Sequence, residues 1–181
     1  MSVQEKRYTL QDLHEIESRP ENADRIFELI DGEIIEKVPS FKPSMIAATL
    51  IVTIQPFVKQ HQLGFVTGAD GGYIMNDEGN VFDPDVGFIS KLRMPQMPER
   101  EALVPPDFAI EVKSPTDRKR DMRLKAEKYL RFGTTMVWLV FPDEQQVEVY
   151  VRDQDVQTLG VDDEVDQYEV IPGISLAVRD V

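Results

Sequence analysis

The sequence predicts an α/β fold in which helices flank a mixed β-sheet, formed by a single domain over residues 1–181. Its length of 181 residues suits one domain. Hydrophobic residues make up 41% of the chain, which is enough for one core. The predicted elements follow the order helix, hairpin, helix, strands, helix, strands, which is typical of a mixed sheet with helices on its faces.

Two helices and a β-hairpin are predicted in the first third of the chain. Thr9 suits the N-cap of a short amphipathic helix with the sequence QDLHEIES. The apolar segments on either side of Asp31-Gly32 predict a hairpin with a tight turn. Pro43 suits the start of a longer helix, from about Ser44 to Gln62, which Gly64 would close.

Strands and one further helix are predicted in the remainder. Strands are expected at 64–69, 72–75, 83–90, 107–113, 135–141 and 146–151, with peripheral strands at 168–171 and 175–178. The helix is expected from Arg118 to Phe132, with Gly133 as a left-handed C-cap. A proline-rich loop, KLRMPQMPEREALVPP, separates two of the strands, and loops of this length are often functional.

Composition narrows the classes of function. The chain lacks cysteine, which excludes a disulfide framework, a thiolate zinc site and a cysteine nucleophile. It shows neither a secretory signal nor the roughly 20 apolar residues of a membrane span, so we expect a cytoplasmic protein without a membrane partner. The net charge of −13 means that any contact with nucleic acid should be local, near the basic segment from Asp117 to Arg131.

The predicted strand at 107–113 carries an acid and a base within an apolar run. Alternate side chains share a face of a strand, so Glu111 and Lys113 should point to one side, and Ile110 and Val112 to the other. Burying an unpaired charge costs several kcal/mol, so Glu111 and Lys113 need compensating partners. The alternative is an ion pair on the solvated face of an edge strand.

A second acidic element, Asp83-Pro84-Asp85, begins another apolar strand. If the two strands are neighbours, Asp85 and Glu111 converge at one end of the sheet. Two close carboxylates repel each other unless a cation lies between them, and oxygen ligands favour Mg²⁺ or Mn²⁺. Asp83 has an alternative interpretation as a turn residue ahead of the proline.

Together these residues match the PD-(D/E)xK pattern of the restriction-endonuclease superfamily. The segments FELIDGEIIE, DPDVGFIS, PPDFAIEVKSPTDRKRDMRLKAEKYL and WLVFPDEQQVEVY also resemble the Uma-two family, which is grouped with these endonucleases. The resemblance extends from Tyr8 to about Val151 and implies the restriction-endonuclease-like fold. It implies that Asp85 and Glu111 are metal ligands. It also implies that the backbone carbonyl of Val112 completes the site and that Lys113 is the catalytic lysine.

Glu28 lies in the FELIDG motif and is a further candidate catalytic acid, the alternative being an exposed position on the hairpin. Lys125 and Tyr129 resemble the Gln-x-x-x-Tyr element of some superfamily nucleases, with lysine in place of glutamine, and are candidates for substrate binding. The alternative for Lys125 is a lysine that only covers apolar surface. Arg118 and Lys119 could hold flanking phosphates, or belong to a solvated helix face.

The sequence therefore predicts a Mg²⁺- or Mn²⁺-dependent endonuclease that hydrolyses nucleic-acid phosphodiester bonds, with DNA as the expected substrate. Cleavage of both strands of a duplex would suggest a homodimer. Two alternatives stay open. One is a non-catalytic binding or assembly module that retains the fold, which the acidic charge favours. The other is a structural cation site, which the charge of Lys113 disfavours.

Overall fold

Three helices and three β-sheets make up the part of the chain that this computed structural model describes, residues 6–166 and 170–181. The helices are α1 (Leu10–Glu17), α2 (Phe41–Gln60) and α3 (Lys119–Phe132), with short 3-10 helices at Pro20–Asn22 and Val178–Asp180. The strands are β1 (Ile26–Ile30), β2 (Glu33–Lys37), β3 (Gly64–Gly68), β4 (Tyr73–Ile74), β5 (Val81–Phe82), β6 (Val86–Ser90), β7 (Phe108–Val112), β8 (Met136–Phe141), β9 (Gln146–Val151), β10 (Gln157–Leu159), β11 (Glu164–Asp166) and β12 (Ser175–Ala177).

The central sheet has six strands in the order β10-β9-β8-β7-β6-β3. β7 and β8 are parallel, and the other neighbouring strands are antiparallel. Helix α3 connects the two parallel strands, as a parallel pair requires. The predicted mixed sheet flanked by helices is therefore confirmed.

Apolar side chains cover both faces of this sheet. On one face Ile110 and Val112 of β7 pack with Leu50 and Ile54 of α2. On the other face Ala109 joins the cluster that contains the buried residues of α3. The alternation predicted for this strand is confirmed, and β7 is an interior strand rather than a solvated edge. Each fully buried side chain of this kind stabilises the fold by roughly 1.5–3 kcal/mol.

A second sheet, in the order β2-β1-β5-β4, holds the predicted hairpin. Its turn has positive φ at both central residues, 52° at Asp31 and 81° at Gly32, as a tight two-residue hairpin requires. Asp83-Pro84-Asp85 crosses from this sheet to the central one, since β5 ends at Phe82 and β6 begins at Val86. The strand predicted at 83–90 is confirmed over Val86–Ser90, but it begins three residues later than predicted, because Pro84 lacks the N–H that a ladder would use.

Helix α2 begins earlier than predicted, at Phe41, and Pro43 lies in its first turn, where the missing N–H costs nothing. The chain leaves the helix through Gln62, whose φ is 54°. The glycine predicted to close the helix instead begins β3. A Cβ at Gly64 would lie 2.0 Å from the carbonyl oxygen of Ile89, so only glycine permits this close approach of two strands.

By length and composition α2 is also the one helix among the described residues that could cross a membrane, with 20 residues and a mean hydropathy of 1.3. The core helix of a water-soluble domain passes the same test, so these two properties indicate little by themselves. About 33% of the stretch is buried inside the structure, where Leu50 and Ile54 lie against the central sheet.

Helix α3 follows its predicted bounds closely. It begins at Lys119 after Arg118 in the N-cap position, and it ends at Gly133, whose φ of 115° confirms the left-handed cap. Near the C-terminus β11 pairs with β12, which confirms a peripheral strand at 175–178. For the other predicted strand, at 168–171, residues 168 and 169 lie outside the described residues, and residues 170 and 171 lie in a turn and a bend rather than in a strand.

Candidate active site

A cleft of about 520 Å³ lies between the hairpin, the first turns of α2, the end of β7 and the first half of α3. Its wall includes the carboxylates of Glu28, Asp85 and Glu111. It also includes the ammonium groups of Lys37 and Lys125. These five charged groups come from the hairpin, the loop that joins the two sheets, a central strand and a helix.

Asp85 is held at the point where β6 pairs with β7. Its Oδ2 accepts a hydrogen bond of 2.8 Å from the backbone N–H of Val112, the residue after Glu111. The register of the two strands pairs Val86 with Ile110, so the side chains of Asp85 and Glu111 start from adjacent strands at the same level. The predicted convergence of these two acids therefore has a structural basis in the strand pairing.

Glu111 is 7% exposed and points toward α3. Its Oε1 accepts a hydrogen bond of 2.8 Å from the hydroxyl of Tyr129 and lies 2.8 Å from Nζ of Lys125. Burial, followed by the charges of Glu111 and Glu28, raises the pKa of Tyr129 well above its ordinary value, so its hydroxyl stays a donor. Tyr129 and Lys125 thus fix the orientation of the carboxylate.

Glu28 is only 4% exposed, so the alternative of an open hairpin position does not apply. Its Oε1 lies 2.7 Å from Nζ of Lys125 and accepts a 2.8 Å hydrogen bond from the backbone N–H of Asp83. Lys125 therefore bridges Glu28 and Glu111. Burial alone would lower the pKa of Lys125, but the charges of Glu111 and Glu28 outweigh it and raise the pKa above its usual range.

Lys37, at the end of β2, is a member of this cluster that the sequence analysis missed. Its Nζ donates to the backbone carbonyl of Asp83 at 2.5 Å and lies 3.1 Å from Oδ1 of Asp85. Burial lowers the pKa of Lys37, but Glu111 and the neighbouring acids raise it by more, so the amine stays charged. The two-residue turn sets a strand register in which Lys37 lies opposite Ile26. Since Ile26 and Glu28 share a face of β1, this register places Lys37 on the same face as Glu28 and could have identified it.

Asp83 is a buried carboxyl beside this cluster, with 6% exposure. Its backbone contacts both Glu28 and Lys37, so it is more than a residue that starts a turn. Burial, then the charge of Glu28, raise the pKa of Asp83 to about 8, although Lys37 and Lys125 act in the opposite direction. At neutral pH the Asp83 side chain is therefore mostly protonated.

The remaining candidates are dispersed. Nζ of Lys113 donates to the backbone carbonyl of Ser114 at 3.0 Å, and Lys113 is not among the described residues that line the cleft. Arg118 does line the cleft. Lys119 instead pairs with Glu144 at 2.8 Å and lies over the ring of Phe141. The catalytic and binding roles of all these residues stay predictions.

A separate group of possible metal ligands lies outside the cleft. His14, Glu17 and Glu101 present donor atoms within 4.8 Å of one another, and they are the one group of three such side chains found among the described residues. Nε2 of His14 lies 2.9 Å from Oε1 of Glu101, a contact that the sequence does not indicate. Arg100 already lies 3.4 Å from Glu17 and 3.6 Å from Glu101. The predicted metal set of Asp85, Glu111 and the Val112 carbonyl has only two carboxylates and shares no residue with this group, and it stays a prediction.

Comparisons with known proteins agree with this architecture. Residues 10–179 match the model of the Uma2 family, whose description is "Putative restriction endonuclease". The chain is also similar to a crystal structure described as a putative nuclease belonging to DUF820 from Anabaena variabilis, with 26% identity and a TM-score of 0.81. That alignment covers 95% of this chain and 96% of the other. No protein with a curated description matches the chain.

Proposed function

The chain belongs to the Uma2 family of putative restriction endonucleases, and we propose that it is a divalent-metal-dependent endonuclease that hydrolyses phosphodiester bonds in the cleft. The description of the family as putative restriction endonucleases and that of the similar crystal structure as a putative nuclease support the proposal. One observation carries the proposal: Glu28, Asp85, Glu111 and Lys125 reach a common cleft from four different elements of the fold, and the buried Tyr129 donates a hydrogen bond to Glu111. Buried charges with mutual contacts of this kind are typical of functional sites.

The donor atoms in the cleft suit a hard divalent cation. Asp85 and Glu111 offer carboxylate oxygens as metal ligands. The hydrogen bond from the Val112 N–H keeps the Asp85 carboxylate beside the β7 backbone, where the Val112 carbonyl would be the third oxygen ligand. Oxygen donors favour Mg²⁺ or Mn²⁺, and the chain has no cysteine to favour a softer metal.

The sum of the charges in the cleft also favours a bound cation. Three carboxylates, those of Glu28, Asp85 and Glu111, face the two ammonium groups of Lys37 and Lys125. With Asp83 protonated at neutral pH, one negative charge in this group remains uncompensated. A bound divalent cation would more than offset this charge, which lowers the cost of keeping three acids ionised in one place and leaves a net positive charge toward an anionic phosphate.

When bound, Mg²⁺ or Mn²⁺ would polarise a phosphate oxygen and lower the pKa of a coordinated water. The chain's own residues would then have distinct tasks. Asp85 and Glu111 would hold the cation, and the Tyr129 hydroxyl would keep Glu111 oriented toward it. Glu28 would act through its partners, because its Oε1 positions both Lys125 and the backbone of Asp83.

Basic residues at the edge of the cleft give it the means to hold a nucleic-acid backbone. Arg118, at the N-cap of α3, and Lys128, in the second half of that helix, line the cleft. The net charge of −13 confines such contacts to this edge, so binding should weaken steeply as salt increases. We propose DNA as the substrate, a cytoplasmic location, and a homodimer if both strands of a duplex are cut.

A second candidate function is a binding or assembly module without turnover. The position of Lys113 favours it, because the amine expected to assist the attacking water donates to the Ser114 carbonyl instead. In this case the cleft would bind a divalent cation and a polyanion, and no hydrolysis would follow.

A cleavage assay distinguishes the two functions. Wild type, Glu111→Gln and the exposed control Glu99→Gln would be incubated with plasmid DNA, single-stranded DNA, branched DNA and RNA, in Mg²⁺, Mn²⁺ or EDTA. The nuclease predicts metal-dependent cleavage by wild type and by Glu99→Gln, and none by Glu111→Gln. Absence of cleavage on every substrate, with Mn²⁺ binding intact, would refute the nuclease and favour the module.

A further inference from the structure

Among the described residues two lysines, Lys37 and Lys125, contact the cleft carboxylates, whereas Lys113, which follows Glu111 by two residues, does not. We propose that Lys37, and not Lys113, supplies the ammonium group that contacts the substrate phosphate beside Asp85. This inference rests on the proposed phosphodiester chemistry and assigns one residue of that site.

Lys37 reaches the cleft from the last position of β2. Its Nζ lies 3.1 Å from Oδ1 of Asp85, while the other oxygen of that carboxylate accepts the N–H of Val112. The amine therefore lies on the open side of the predicted metal ligand, opposite to the β7 backbone. Its side chain is 19% exposed, so a ligand that enters the cleft can reach it.

In the part of the chain that the structure describes, Lys113 neither contacts a cleft carboxylate nor lines the cleft. Its Nζ donates to the carbonyl of Ser114, and its charge acts on Asp143 and Glu144, two exposed acids that follow β8. Those acids lie outside the cleft, as Lys113 does among the described lining residues. A catalytic role for Lys113 would require its side chain to leave these partners and turn toward Glu111.

Lys125 reaches the cleft, but its ammonium group is already paired with two carboxylates. Its Nζ lies within 2.8 Å of both Glu28 and Glu111, so two carboxylates share its charge. Contact with a phosphate would break at least one of these buried pairs, and an abandoned buried carboxylate is costly. Lys37 has one carboxylate and one backbone carbonyl as partners, so an entering phosphate competes with weaker contacts.

The physical requirement is a compact positive charge that can approach a non-bridging phosphate oxygen. A lysine on a flexible stem provides this without the fixed geometry of a guanidinium group. Bound phosphate would draw the Lys37 amine from Asp85, which would then be free to hold the cation. A purely structural Lys37 would only tie β2 to the Asp83 carbonyl, and it would not respond to a ligand.

The experiment compares Lys37→Met, Lys37→Arg, Lys113→Met and the exposed control Lys59→Met, each first checked for thermal unfolding and Mn²⁺ binding. A fluorescein-labelled DNA duplex serves as the probe for binding, measured by fluorescence anisotropy in Ca²⁺. The same duplex, single-stranded DNA and plasmid then serve as substrates in Mn²⁺. Binding and turnover are thus measured independently.

Lys37→Met should lower turnover by about 10²-fold, the effect of losing one preorganised charge at a reacting phosphate. It should weaken DNA binding about tenfold, as expected for one lost hydrogen bond between charged groups. Lys37→Arg should recover part of the binding, and Lys113→Met should stay within about threefold of wild type in both assays, since Lys113 donates to Ser114 rather than to a cleft group.

Two results would overturn the inference: Lys37→Met binding and cutting DNA like wild type, or Lys113→Met losing as much as Lys37→Met. If wild type binds DNA but cuts none of the substrates, the proposed function fails, and the binding arm still decides the role of Lys37. Loss of thermal stability in Lys37→Met without recovery of binding in Lys37→Arg would indicate a structural lysine and would also overturn it.

Discussion

Replacement of Lys125 by methionine tests the charge network at the centre of the cleft. The change keeps an unbranched side chain that is one heavy atom shorter and removes its charge. The carboxylates of Glu28 and Glu111, 4% and 7% exposed, would then share a buried space with no cation between them. Breaking a buried pair by removing one partner typically costs about 3–5 kcal/mol, and uptake of a proton by one of the acids limits the loss.

The loss of unfolding free energy in Lys125→Met should depend on pH in a definite direction. In Lys125→Met, burial and mutual repulsion should raise the pKa of the Glu28–Glu111 pair in the folded state. The folded variant then holds a proton that the unfolded chain releases, so its deficit in unfolding free energy shrinks as pH falls. We expect a loss of about 3–5 kcal/mol at pH 7.5, and a clearly smaller loss at pH 5.

Denaturant unfolding in EDTA measures both values, with Lys128→Met as the control one turn along α3. Lys128 pairs with the half-exposed Asp31, so its loss should cost less than about 1 kcal/mol. A loss below about 1 kcal/mol for Lys125→Met at both pH values would refute the account of a buried charge network.

Three further predictions concern single contacts. In EDTA, the unfolding free energy of wild type should fall as pH rises from about 4 to about 8, because folded Asp83, with its pKa of about 8, keeps a proton that the unfolded chain loses. Asp83→Asn should flatten this slope, and an unchanged slope would contradict the prediction. Tyr129→Phe should lower the unfolding free energy by about 1–3 kcal/mol, since Glu111 loses a buried donor, and a neutral result would mean that this hydrogen bond is not formed. Gly64→Ala should cost more than about 4 kcal/mol or prevent folding, because its Cβ would lie 2.0 Å from the Ile89 carbonyl oxygen, whereas Gly68→Ala, with 3.6 Å of space, should stay within about 1 kcal/mol of wild type.

Local patterns predicted the elements that position the acids. The alternation in β7 and the helical period of α3 are strong signals, because one buried face repeats over several residues. Asp31-Gly32 fixed the hairpin turn and, with it, the cross-strand pairs. These elements place Glu28, Glu111, Lys125 and Tyr129, whose convergence therefore follows from the sequence once the sheets are assembled.

Short elements and side-chain direction could not be predicted in the same way. β4 and β5 have two residues each, too few for any periodicity, so the crossing of the chain from one sheet to the other at residues 83–85 left no local signal. Lys113 follows the last residue of β7, and the chain turns at Ser114-Pro115. The alternation rule therefore ends at Val112, and the long side chain takes the nearest carbonyl acceptor. His14 and Glu101 meet from positions 87 residues apart, and no short motif joins them.

The most direct test of the central claim is a crystal structure of wild type soaked in Mn²⁺, with anomalous data that locate the ion. We expect one strong peak at about 2.0–2.3 Å from carboxylate oxygens of Asp85 and Glu111 and from the Val112 carbonyl. A cleft without a peak, with Mn²⁺ bound by His14, Glu17 and Glu101 alone, would contradict it.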